Sequence, residues 1–156
     1  MTVFRKFQAS DSNEIGDWEV SRTDLLFWAN IQDAELDLKE RMKEWHSDPD
    51  VSAYILEDGS KIVAYGEIWK ETQEVELARL IVNPHIRGYG FGKILLAKLL
   101  EKAKGFNQRI WLRVHPKNTF ALTLYQRNGF VLVGADRQET FNQGQTIQFI
   151  WLEAAT

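Results

Sequence analysis

The sequence predicts an α/β (α+β) fold: a central mixed, mostly antiparallel sheet of six to seven strands with flanking helices. Three observations carry this. Residues 11–45 follow a helical pattern, whereas residues 51–82 switch to the two-residue period of strands. Between residues 75 and 114 a strand, a glycine-rich turn, an amphipathic helix and a second strand form a crossover, which makes those two strands parallel. A further helix and two closing strands complete the order.

The elements follow in turn. Val3, Phe4 and Phe7 alternate with polar neighbours over 3–8 and predict a first strand. Asp24 is placed to cap a helical run containing Leu25, Leu26 and Trp28. A second run, about 33–45, sets Leu36, Leu38, Met42 and Trp45 among charged residues. Val51, Ala53 and Ile55 then alternate, and Asp58-Gly59 signals a two-residue hairpin. Residues 61–69, with Ile62, Val63, Tyr65, Ile68 and Trp69, form the next strand, and Val75–Val82 the third of an antiparallel meander. Alternation there places Glu76, Ala78, Leu80 and Val82 on one face and Leu77, Arg79 and Ile81 on the other.

Pro84 ends the meander, because proline cannot donate to a ladder. In the helix 91–104, Leu95, Leu96, Leu99, Leu100 and Ala103 share a face opposite Lys98, Glu101, Lys102 and Lys104. Gly105 stops it. Residues 109–114 form a strand with Ile110, Leu112 and Val114 on one side. Asn118 is an N-cap for a helix over 119–128, and Gly129 follows at its C′ position. Strands at about 130–135 and 145–152 end the chain.

Composition narrows the function classes. The 156 residues contain no repeat, low-complexity tract or Pro/Gly-rich linker, which predicts one domain over 1–156. A net charge of −3 argues against bulk nucleic-acid binding. The absence of cysteine excludes disulfides, thiolate metal sites and a cysteine nucleophile. No stretch approaches the ~20 apolar residues that span a membrane, and residues 1–8 lack a signal-peptide core. The expectation is a soluble, cytoplasmic protein with neither membrane nor nucleic acid as partner. His46 and His85 show no ligand spacing, so no metal site is expected, and His115, a lone histidine at a strand end, is expected to be structural.

Arg87-Gly88-Tyr89-Gly90-Phe91-Gly92-Lys93 joins a strand to a helix. Three glycines let the backbone bend sharply and approach a ligand. The amides at the helix start, at the positive end of its dipole, suit a phosphate or pyrophosphate. Lys93 is followed by Ile94, so the P-loop pattern fails. The third glycine of a dinucleotide fingerprint would fall at Lys93, so that pattern fails too.

Val82-x-Pro84-x-x-Arg87-Gly88-x-Gly90-x-Gly92, followed by Leu95-Leu96, resembles the coenzyme A loop of the GCN5-related N-acetyltransferase superfamily. Asn118-x-x-Ala121-x-x-Leu124-Tyr125-x-x-x-Gly129-Phe130 resembles its later motif. The resemblance covers residues 51–135 well and the N-terminal third in outline. It implies an acyl-CoA N-acyltransferase fold and acetyl-CoA as the acyl donor. It also implies that the pantetheine arm pairs with the backbone of Leu80, Ile81 and Val82. The pyrophosphate would meet the amides from Gly88 to Lys93, beside Arg87. Asn118, Ala121 and Tyr125 lie on nearly one helix face. By resemblance Asn118 lies near the pantetheine or acetyl end, and Tyr125 gives its proton to the departing sulfur. Glu76 matches the base position of the histone-acetylating branch, with Glu67 as rival and a water-mediated route as third choice. The branch that acetylates ribosomal-protein N-termini carries a glutamate where this chain has Arg113, which argues against that branch's base.

The resemblance further implies an acceptor pocket built from residues 18–46 and 134–146. Trp18, Trp28, Trp45 and Trp69 would line it, and Glu67, Glu71, Glu74 and Glu76 would favour a cationic amine. The leading expectation is transfer of the acetyl group of acetyl-CoA to a primary amine, small or on a peptide, by direct attack. A homodimer is compatible with it. The alternatives are a catalytically silent acyl-CoA-binding or regulatory module on the same fold, and a nucleotide-binding protein using the same loop.

Overall fold

A computed structural model describes residues 1–32, 37–106 and 108–155. The chain runs β1 (Thr2–Lys6), α1 (Asp11–Gly16), α2 (Arg22–Ala29), α3 (Leu38–His46), then β2 (Val51–Asp58), β3 (Lys61–Lys70) and β4 (Glu74–Val82). A 3₁₀ turn at Pro84–Ile86 leads to α4 (Phe91–Lys104), β5 (Arg109–Val114), α5 (Thr119–Arg127), β6 (Phe130–Leu132), α6 (Ala135–Phe141) and β7 (Ile150–Ala154). Seven strands form one sheet in the order β1-β2-β3-β4-β5-β7-β6. Among the described residues only the β4–β5 pair is parallel, as the crossover requires. β7 is antiparallel to both of its neighbours. No helix among the described residues is long and apolar enough to cross a membrane.

Each face of the sheet has its own core. Leu95, Leu96, Leu99 and Ala103 of α4 pack on Leu56, Ile68, Val75, Leu77, Ile110, Leu112 and Val114. The opposite face holds Ile15, Trp18, Trp28, Ile31, Met42 and Trp45 against Ile55, Tyr65 and Ile81. A smaller cluster of Trp111, Val133 and Trp151, with Phe141 and Phe149 against it, lies under α6.

Several boundaries differ from the sequence expectation, each for a physical reason. Ser21, not Asp24, caps α2: its hydroxyl accepts from the Asp24 amide at 3.1 Å. The side chain of Asp24 is thereby free to pair with Arg87. Asp37 caps α3, and residues 33–36 of the expected helical run, Leu36 among them, lie outside the described residues. Asp58 pairs with Lys61, so the hairpin loop is Gly59-Ser60, one residue later than predicted.

The expected long closing strands are shorter. Residues 135–141 form α6 because two amides take the place of a ladder. Gln138 accepts from the Trp151 amide at 2.8 Å and donates to the Val133 and Trp151 carbonyls. The buried Asn142 accepts from the Phe149 amide and from Trp151 Nε1.

The predicted alternation along β4 is also overturned. Glu67 pairs with Ala78, but Tyr65 pairs with Ile81. One residue on β3, Gly66, therefore opposes two on β4, which is a β-bulge at Arg79–Leu80. Past it the faces exchange: Glu76, Ala78 and Ile81 point toward the helices α1–α3, while Val75, Leu77, Leu80 and Val82 point toward α4.

Candidate active site

The glycine loop sits where the sequence places it. Gly88 and Gly90 have φ values of 89° and 82°, and Gly90 is the N-cap of α4. Such angles favour glycine, because a Cβ approaches the following carbonyl oxygen. No acceptor among the described residues meets the amides of Gly88 to Lys93. They form an open nest at the positive end of α4. Arg87 is tied to α2 by Asp24 at 3.0 Å, and Tyr89 stands exposed at the tip. A Cβ at Gly90 meets no atom within 4 Å, so the strain of Gly90→Ala is in φ alone. That substitution should cost about 1–2 kcal/mol, read as a lower Tm.

Beside the nest the sheet opens. β4 pairs with β5 only from Glu74–Arg109 to Leu77–Leu112. Beyond that point β4 runs on to Val82 bonded to β3, without a ladder to β5. The backbone of Leu80, Ile81 and Val82 borders this gap. α5 begins across it: Asn118 accepts from the Ala121 amide at 3.3 Å as N-cap, which leaves its amide nitrogen free of that bond. Tyr125, two turns on, is buried and packs edge-on to Phe130 with ring centroids 6.3 Å apart. Burial pushes its phenol up to about 12.

Glu76 is buried on the face toward α1–α3 and receives both arms of Arg113, at 2.8 and 2.9 Å. Burial raises its carboxyl, and Arg113 offsets part of that rise. The Arg113 guanidinium lies 4.4 Å from the Trp151 ring. Glu76 and Arg113 line a cavity of about 230 Å³ together with Glu71, Glu74, Trp111, Phe141, Gln145 and Trp151. Trp111 Nε1 donates to Glu74 at 2.8 Å.

Glu67 lies two positions along β3 from Trp69, the register partner of Glu76. It is fully buried and accepts from the Tyr65 hydroxyl, from Trp69 Nε1 at 2.7 Å and from Arg79 at 2.8 Å. His46 Nε2 is 2.9 Å from the Tyr65 hydroxyl. Burial, then the nearby Arg79, lowers the imidazole to about 4. A folded value below the unfolded 6.5 means that this histidine's contribution is complete above pH 6.5 and is lost as pH falls toward 4. The loss should be about 2 kcal/mol, less than the full shift because the ring is half-buried. In a Tm-against-pH series, His46→Asn should flatten that acid slope. His115 accepts from the Lys117 amide and packs on Phe27 of α2, a structural arrangement at the mouth of the gap.

The sequence expectation for the aromatic lining is corrected. Trp45 and Trp69 stack on the guanidinium of Arg79, at 4.2 and 4.8 Å, and Trp28 donates to the Arg79 carbonyl at 2.8 Å. Trp18 is buried, and its Nε1 meets no acceptor among the described residues. The aromatic and carboxylate cage foreseen for a substrate cation holds a cation of the protein itself. The open cavity is walled instead by Trp111, Phe141 and Trp151, which sequence reasoning missed. The available signal was the strand 109–114, whose second face carries Trp111 and Arg113.

Comparison with known proteins agrees with this geometry. The model of the acetyltransferase (GNAT) family matches residues 15–130. The [ribosomal protein bS18]-alanine N-acetyltransferase of Haemophilus influenzae is 35% identical over 77 residues, 48% of this chain and 51% of that protein. The match thus spans about half the length of that curated relative. The PaiA N-acetyltransferase of Thermoplasma acidophilum, solved with coenzyme A, superposes with a TM-score of 0.71 at 20% identity over 100% of this chain and 99% of its own. The spermidine N-acetyltransferase of Vibrio cholerae, solved with coenzyme A and spermine, gives 0.71 at 23% identity over 85% and 82%. The GNAT domain of S. lividans PAT gives 0.76 at 16% identity over 96% and 88%. With the amide nest, the opened β4–β5 pair and the family model in agreement, the chain belongs to the acetyltransferase (GNAT) family, whose members are acyltransferases with acetyl-CoA as co-substrate.

Proposed function

We propose that this chain passes the acetyl group of acetyl-CoA to a primary amine by direct attack, with Tyr125 as acid and Glu76 as base. The observation that carries this is one juxtaposition. The ladder between β4 and β5 stops at Leu77–Leu112, and the unpaired amides of Gly88 to Lys93 stand at the head of the helix that follows β4. An extended amide-bearing arm fits along Leu80, Ile81 and Val82, and a pyrophosphate fits the nest beside Arg87. Asn118 would bond the arm from the α5 side.

Acetyl-CoA supplies an activated thioester with a thiolate as leaving group. Tyr125 holds its proton through the neutral range and donates it to the departing sulfur. Glu76 takes the proton that the attacking nitrogen must lose. Glu71, Glu74 and Glu76 give the adjacent cavity an acidic lining, answered within it by Arg113 alone. This favours a cationic amine over a neutral or acidic acceptor. Spermidine N-acetyltransferase shares the fold and is compatible with such an acceptor.

One observation favours a second reading, a silent acyl-CoA-binding module: both oxygens of Glu76 are engaged by Arg113. A ligand panel separates both from nucleotide binding. Coenzyme A should raise Tm through selective binding to the folded state, and ATP and NAD should not. Equal stabilisation by ATP or NAD would overturn the assignment of the nest.

A further inference from the structure

The buried Glu67 and the partly buried Arg79 form an ion pair that the proposed reaction does not use. Arg79 has φ 48°, one of two non-glycine residues with a left-handed backbone among those described. A β-strand does not adopt that angle without something to hold it. The holding contacts come from three elements. Glu67 of β3 pairs with the guanidinium at 2.8 Å. Trp45 of α3 and Trp69 of β3 stack on it at 4.2 and 4.8 Å. Trp28 of α2 bonds the Arg79 carbonyl at 2.8 Å. Tyr65 and Trp69 donate to the remaining capacity of Glu67 and fix its orientation.

The partner strand is cut to fit. A Cβ on Gly66 would stand 2.7 Å from a Leu99 methyl and 3.4 Å from Leu80. Glycine at the bulge therefore lets Leu80 and α4 close onto the sheet. The ladder from β4 to β5 ends at Leu77, with one residue, Ala78, between it and the bulge.

We infer that Arg79 is a positioning residue: gripped by Glu67, Trp45, Trp69 and Trp28, it holds β4 in the bulged register that sets Leu80–Val82 along the gap facing β5. Its link to acyl-donor binding rests on the reading of that gap given above, whereas its effect on the strand does not. The cage is built for a cation, and the chain supplies that cation to lock its own backbone.

The test is Arg79→Gly, since glycine accepts the left-handed angle and only the side-chain grip is lost. Amide hydrogen exchange of the segment 79–82, without ligand, reads the strand directly. Exchange should accelerate by about tenfold or more. Guanidinium chloride at millimolar concentration should slow it again by refilling the cage, and sodium chloride at equal ionic strength should not. Coenzyme A affinity by calorimetry should weaken by about tenfold and recover with guanidinium. Trp28→Phe, which keeps an aromatic ring and loses only the donor, should shift exchange the same way to a smaller extent, and guanidinium should not correct it.

Unchanged exchange at 79–82 in Arg79→Gly would overturn the inference. If Arg79→Gly does not fold, native-like exchange in Trp28→Phe overturns it. If exchange responds as expected but the native protein does not bind coenzyme A, the positioning role stands and the reading of the gap fails.

Discussion

Tyr125→Phe should lower kcat by about a hundredfold or more while the KM for acetyl-CoA changes little. The ring stays in its core position against Phe130, so the fold and the cleft are kept. Only the hydroxyl is lost, and in the proposed mechanism its proton goes to the sulfur as the carbon–sulfur bond breaks. An effect on kcat without an equal effect on KM is the signature of an interaction made in the transition state. The phenol titrates at about 12 because burial penalises the phenolate. The native enzyme should therefore show no alkaline loss from this group anywhere near neutrality. Steady-state kinetics on a good amine acceptor check both points, and full turnover by the phenylalanine variant would remove Tyr125 as the acid.

Glu76→Gln should lower kcat/KM by about a hundredfold and abolish the acid limb of the pH profile. Burial raises the Glu76 carboxyl above its ordinary range, and Arg113 recovers part of that rise. In the proposed mechanism Glu76 accepts a proton only when ionised, so native activity should fall as pH drops through that raised value. Glutamine has no proton to exchange, so the variant's residual activity should be flat there. Glutamine also keeps an oxygen acceptor for Arg113, which separates lost catalysis from lost packing. A variant with native turnover would mean that the bidentate pair serves the fold alone. The silent-module reading requires instead that the native protein itself lacks turnover.

The legible parts of the fold share a cause. The helix over 91–104, the strand over 109–114 and the Asn118 and Gly129 ends of α5 are set by periodicity and caps within one segment. The nest was equally visible, because glycine at 88 and 90 answers a local backbone demand. Three features were not legible, since each depends on partners distant in sequence. The bulge at Arg79 is held by Trp28, Trp45, Glu67 and Trp69, and it inverts an alternation that the strand sequence alone implies. α6 forms between the two expected closing strands, where no element was expected, because Gln138 and Asn142 find backbone partners near Trp151. The cavity wall of Trp111, Phe141 and Trp151 is assembled from three elements after β7 inserts between β5 and β6. Of the four tryptophans foreseen around a substrate cation, Trp45 and Trp69 stack on Arg79 of the chain itself.

The most direct test of acetyl transfer to an amine is thiol release from acetyl-CoA by the native protein, followed across diamines, peptide N-termini and neutral amines. The structure predicts amine-dependent release, fastest with cationic aliphatic amines, and one acetyl group recovered on the acceptor by mass spectrometry. Coenzyme A binding with no thiol release on any amine would contradict it.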